Sequence, residues 1–320
     1  MYDSTNIVHH FFVKKGYLQH LLRIIVSIFF LAVLSRLVDL QVLKEALPHI
    51  QLHIVGLATV LYFGAIAVRA LRLQLILNTG KARINFQDAF IVTLIGFALN
   101  FFIPATLGDI ARSYYGYKIY GIKEEMLSAS LVDKIFALCS LFLIGTASGF
   151  MMGYNTLAVI SFICAGLTMV PLLNPALIPW NLLNGVLHRF HKSLDRERLQ
   201  EAFHLPVSRK MVVMTLSLLV WLWTSVFFYV LCMAFLVEVS FGYVIVMMPM
   251  ITIVRLFPFT INALGPSEVA VAYFFHRIGI PSTLAVAISL VANLAASIVP
   301  GILGFLCILV WGHRKEFTNS

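Results

Sequence analysis

Two arginines and two carboxylates stand where so apolar a chain has little reason to keep charge. Asp109 and Arg112 lie in one broken apolar stretch, Arg255 and Glu268 in another. Thr106-Leu107-Gly108-Asp109 reads as a helix start, with a Thr cap and an acid at the third helical position. Gly265-Pro266-Ser267-Glu268 reads the same way, with Pro at the first position. Helix N-termini carry partial positive charge and free N–H groups, and so favour anions. Arg112 follows Asp109 by one turn on the same face. Asn100 and Asn262 are placed to satisfy backbone freed by the breaks. Arg112 and Arg255 as cations, with Asp109 and Glu268 orienting them, suit a buried, water-accessible anion site. The plainer alternative is that both acids only cap their helices and both arginines only pair with them. An ionisable group inside a bilayer costs roughly 2.5–3.5 kcal/mol on insertion scales, and such residues mark pathways, which favours the site.

The bilayer enters through composition. Apolar residues make up 60% of the 320-residue chain and charged residues 12%, against about 45–50% and about 25% in a soluble domain. That excludes a soluble enzyme, a disordered chain and a nucleic-acid-binding module. The net charge of +9 lies mostly between apolar runs, where basic residues report membrane orientation. Apolar runs long enough to cross fall at 18–40, 48–70, 124–150, 155–178, 211–237 and 282–311. The regions 87–120 and 242–278 break near their middles, into pieces suited to half-helices. Each predicts a re-entrant hairpin. The expected fold is therefore an all-α polytopic membrane protein, one integral domain over 1–320, with about six full spans and two re-entrant helical hairpins.

Placing both termini inside gathers most of the 23 basic residues on the cytoplasmic face. They include Lys14, Lys15, Arg23, Arg69, Arg72, Lys81, Arg83, Lys118, Lys123, Arg314, Lys315 and the basic residues of the 174–209 loop. That loop is expected to hold a short amphipathic surface helix. His188 and His191 read as solvated loop residues. Tyr114, Tyr115, Tyr117 and Tyr120 read as an interfacial belt. Asp133-Lys134 reads as a weaker feature, a structural pair. The four cysteines are scattered singly in apolar stretches, with no spacing suited to zinc. No metal, no cofactor and no cleavable signal are expected.

The chain also repeats. An offset of 159 residues brings Asp109 onto Glu268, Tyr114 onto Tyr273, Ser130-Leu131-Val132 onto Ser289-Leu290-Val291, and Gly145 onto Gly304. Each copy, about 87–150 and 242–311, is a broken hairpin followed by a long helix. Three full spans separate the two hairpins, an odd number, so the copies are expected to be inverted. Inverted repeats with broken helices and a midplane site are a transporter pattern.

Asn100, Pro104, Gly108, Asp109 and Arg112 stand in the spacing N-x3-P-x3-G-D-x2-R. That element resembles one in the lysylphosphatidylglycerol synthase transmembrane family, also called flippase-like. Asn262-Ala-Leu-Gly265-Pro-Ser-Glu268 resembles the family's N-G-x-G-x-R-E element, departing from it at Ala263 and Ser267. The resemblance covers roughly 15–312. Bifunctional members carry a soluble aminoacyl-transferase domain after the membrane part. The resemblance here implies a stand-alone member, with lipid translocation but no synthesis.

The expected function is thus a lipid flippase or scramblase in the plasma membrane, and not an enzyme. Its partner would be a phospholipid or a polyisoprenyl-phosphate-linked sugar. No GxxxxGK[ST] element is present, so movement would be passive or ion-coupled. A non-transporting partner of a glycosyltransferase or lipid synthase is the alternative. An intramembrane enzyme is less favoured, since HExxH and GxSxG are absent. A homo-oligomer or an association with a lipid-synthesis enzyme fits any of these.

Overall fold

A computed structural model of the chain describes residues 47–79, 83–100, 108–120, 123–177, 203–256 and 265–311. These residues are helical, joined by turns. The first expected span, 18–40, lies outside them. So do both hairpin tips, including Asn262, and most of the 174–209 loop. The long helices are α1 (Leu52–Leu77), α4 (Lys123–Met151), α5 (Asn155–Leu173) and α6 (Val207–Ala234). The last span runs as α9 (Ser282–Asn293), a π-helical segment (Leu294–Ile298) and α10 (Val299–Trp311). Among the described residues five helical stretches are long and apolar enough to cross a membrane, matching five of the six runs read from the sequence. Exposed side chains such as Leu52, Val60, Phe162, Ile163 and Leu167 suit a lipid-facing surface. The chain is a multi-pass membrane protein.

Between these lie short helices: α2 (Phe86–Asn100), α3 (Gly108–Tyr120), α7 (Phe241–Arg255) and α8 (Pro266–His276). At 1.5 Å per residue even the 15-residue ones reach only about 22 Å, short of a hydrocarbon core about 30 Å thick. They fold in pairs. At the open end of the first pair, Tyr120 Oη donates to Asp88 Oδ1 at 2.8 Å. At its closed end the Gly108 N–H donates to Asn100 Oδ1 at 2.9 Å. In the second pair Tyr243 Oη donates to the Phe274 carbonyl at 2.7 Å, near the open end.

The two hairpins open towards opposite ends of a central pair, α1 and α6. These run antiparallel. The Gln51 N–H donates to the Ala234 carbonyl at one end, and Arg209 donates to Thr79 Oγ1 at the other. The first hairpin follows the end of α1, the second the end of α6. Packing is reciprocal. Helix α2 lies against α10 and α7 against α4, while α1 touches α2 and α6 touches α7. One apolar cluster joins α6, α7, α8 and α9 to the first half of α1. The other joins the second half of α1 to α2, α4 and the start of α6.

Candidate functional site

The second hairpin returns as the sequence leads one to expect. Pro266 opens α8, and the Glu268 carboxylate reaches back to accept from the Gly265 N–H at 2.6 Å. Gly265 carries a φ of 101°, a conformation that favours glycine. Glu268 is fully buried. Its carboxylate also accepts from Ser267 Oγ at 3.0 Å, Ser289 Oγ at 3.3 Å and Asn293 Nδ2 at 2.5 Å. Asn293 in turn accepts from Arg255 Nη2 at 2.6 Å. The predicted Arg255 and Glu268 are thus joined through an amide.

Arg112 is buried one turn into α3. It donates to Ser130 Oγ at 3.2 Å and to Asp133 Oδ2 at 3.1 Å, both on α4. The other oxygen of Asp133 pairs with Arg72 Nε of α1 at 2.5 Å. Arg72 Nη1 reaches Ser217 of α6 at 2.9 Å. A carboxylate bridging two arginines ties three helices together. This corrects two expectations. Asp133 is the acid that holds Arg112, rather than half of a minor pair with Lys134. Arg69 and Arg72 belong to α1, not to a cytoplasmic loop, because the helix continues to Leu77. Arg72 is 4% exposed.

Both clusters border one cavity of about 240 Å³. Among the described residues Arg69, Arg72, Arg112, Lys134 and Arg255 line it, with Asp133 as the one lining carboxylate. Asn100, Ser267, Ser289 and Asn293 add polar groups, and Trp221 and Phe97 add aromatic surface. The Arg69 guanidinium stacks over Phe97, 5.5 Å from the ring centroid. Of the predicted site residues, Asn100, Arg112 and Arg255 line the cavity, and Glu268 stands behind Asn293. The Asp109 backbone lies in the first turn of α3; its side chain and Asn262 fall outside what is described. Serines at equivalent positions of the 159-residue offset, Ser130 and Ser289, each bond a charged residue of the preceding short helix. The charges are opposite: an arginine in the first pair, a glutamate in the second.

Residues 20–304 match the family described as lysylphosphatidylglycerol synthase TM region. The chain belongs to that family. Among its relatives is a UPF0104 membrane protein of Methanothermobacter thermautotrophicus, 28% identical over 268 residues, covering 74% of this chain and 77% of the relative. No solved structure matches. The family match spans both hairpins and all the helices that border the cavity.

Proposed function

We propose that the protein moves an anionic, phosphate-bearing lipid across the plasma membrane, its headgroup passing through the cavity while its tails stay in the bilayer. The carrying observation is a charge imbalance among the described residues: five cationic side chains line the cavity against one lining carboxylate, Asp133, with Glu268 behind Asn293. An excess of cations over acids there is costly. A phosphate oxyanion relieves that cost with charge-assisted hydrogen bonds to guanidinium groups. A family described by a lipid synthase's membrane region supports a lipid as cargo.

We further propose that α1–α4 and α6–α10 are inverted copies, with both termini cytoplasmic. The support is the reciprocal packing and the opposite opening of the hairpins. Rocking of one copy against the other would expose the cavity to each face in turn. The test is the purified full chain in liposomes, with a panel of fluorescent anionic lipids and polyisoprenyl-phosphate sugars. Reduction of the outer-leaflet dye would report transbilayer movement. Movement of at least one anionic lipid, well above empty liposomes and lost in Arg255→Ala, is expected. Rates equal to empty liposomes across the panel would sink the proposal.

A further inference from the structure

The cations around the cavity form two groups with different partners. Arg72 and Arg112 share Asp133. Arg255 and Arg69 form no ion pair among the described residues. Arg255 is bonded to the neutral Asn293, and Arg69 is stacked on Phe97. Tyr62 borders the same cavity. It is 5% exposed and stands within electrostatic reach of Arg255, as do Arg69 and Glu268. Its ring packs against Phe227, with centroids 4.9 Å apart. Its hydroxyl bonds to none of the described residues. As a group lining the cavity, that hydroxyl can both donate to and accept from a ligand oxygen.

Donor arithmetic separates the two groups further. A guanidinium has five N–H donors. Arg72 and Arg112 spend two nitrogens each on Asp133, Ser217 and Ser130. Arg255 spends one on Asn293. Both groups keep donors for a ligand, and the second forms no direct ion pair among the described residues.

Resting on the reading of the cavity as a headgroup site, we propose that it holds two phosphates at once. The cargo class is then a lipid diphosphate rather than a lipid with one phosphate. One phosphate takes the remaining donors of Arg72 and Arg112. The other sits between Arg69, Arg255 and the Tyr62 hydroxyl. Asn293 matters here as a neutral spacer: it holds Arg255 at the cavity and stands between it and the Glu268 carboxylate, so the two form no direct pair.

The test measures binding of two soluble short-chain probes, an isoprenyl diphosphate and the matching isoprenyl monophosphate, to the purified full chain in detergent. Intrinsic fluorescence gives the readout, since Trp221 lines the cavity. The diphosphate is expected to bind at least tenfold more tightly. Tyr62→Phe removes only a hydroxyl that bonds to none of the described residues and keeps the ring packed on Phe227, so folding is preserved. It should cut that preference to threefold or less. Arg255→Gln should do the same, while Arg112→Gln should weaken both probes. Equal affinities in the wild type, or a preference unchanged in Tyr62→Phe and Arg255→Gln, overturns the two-phosphate site. Binding of neither probe, with no anionic lipid moved in liposomes, overturns the headgroup cavity itself.

Discussion

Gly304 of α10 lies so close to Leu94 of α2 that a methyl group on it would stand 2.0 Å from the Leu94 carbonyl oxygen. Its counterpart at the 159-residue offset, Gly145 of α4, faces Ile253 of α7, and Ile253 is the counterpart of Leu94. There the obstacle is softer: a methyl would meet the Ile253 Cδ1 atom at 2.7 Å. The same crossing is therefore made twice, once against backbone and once against the end of a flexible side chain.

Gly304→Ala must push α10 away from α2, and overpacking of this kind costs about 1–3 kcal/mol or more. Gly145→Ala needs only a rotamer change at Ile253, and its cost should stay within about 1 kcal/mol. Thermal unfolding in detergent should rank Gly304→Ala well below Gly145→Ala. The reverse order would contradict this account of the two crossings.

Asp133→Asn should be the most damaging single change in the bundle. It leaves Arg72 and Arg112 buried with no acid between them, and breaking a buried pair from one side costs roughly 3–5 kcal/mol. A large drop in Tm is expected. Adding Arg72→Met should recover part of it by removing one stranded charge. A Tm within a few degrees of wild type for Asp133→Asn alone would show that the bridge contributes little.

The Asp133 bridge also shows where sequence reading stopped. The spans were legible because long apolar runs have one physical use. The hairpins were legible because half-length apolar pieces beside Asn, Pro and Gly cannot cross. Arg112, Arg255 and Glu268 stood out as charges near those breaks. Asp133 did not, because its partner Arg72 is 61 residues away on another helix, and pairing between helices leaves no period in the chain. Arg69 and Arg72 read as loop residues because the apolar run fades before α1 ends. Tyr62 gave no signal at all: one tyrosine in an apolar helix becomes notable only when folding sets it at a cavity lined by arginines.

Arg112→Ala and Arg255→Ala should each lower lipid movement at least tenfold in reconstituted liposomes. Arg255→Ala should do so with little loss of Tm, since its described hydrogen bond is to a neutral amide. Lysine at either position should restore only part of the rate, because it lacks the planar fork that grips two phosphate oxygens. Full activity in Arg255→Lys would reduce the site to a simple positive charge.

A single cysteine placed in the 174–209 loop, in a background without Cys139, Cys164, Cys232 and Cys307, should react with a membrane-impermeant thiol reagent only after the cells are opened. The basic ends described at Arg83, Arg209 and Lys210 lie on the side of the bundle from which this loop emerges. Labelling in sealed cells would reverse the proposed orientation.

The π-helical turn at Leu294–Ile298 settles a conflict of facing within the last span. Asn293 and Gly304 are eleven residues apart, so an unbroken α-helix would point them within about 20° of each other. Yet Asn293 must look towards Glu268 and Arg255, and Gly304 towards Leu94. Widening one turn rotates everything beyond it by part of a revolution, so one continuous rod presents a polar reader on one side and a smooth bearing on another. Deleting a single residue there would restore a regular helix and force the protein to choose between its cavity and its joint.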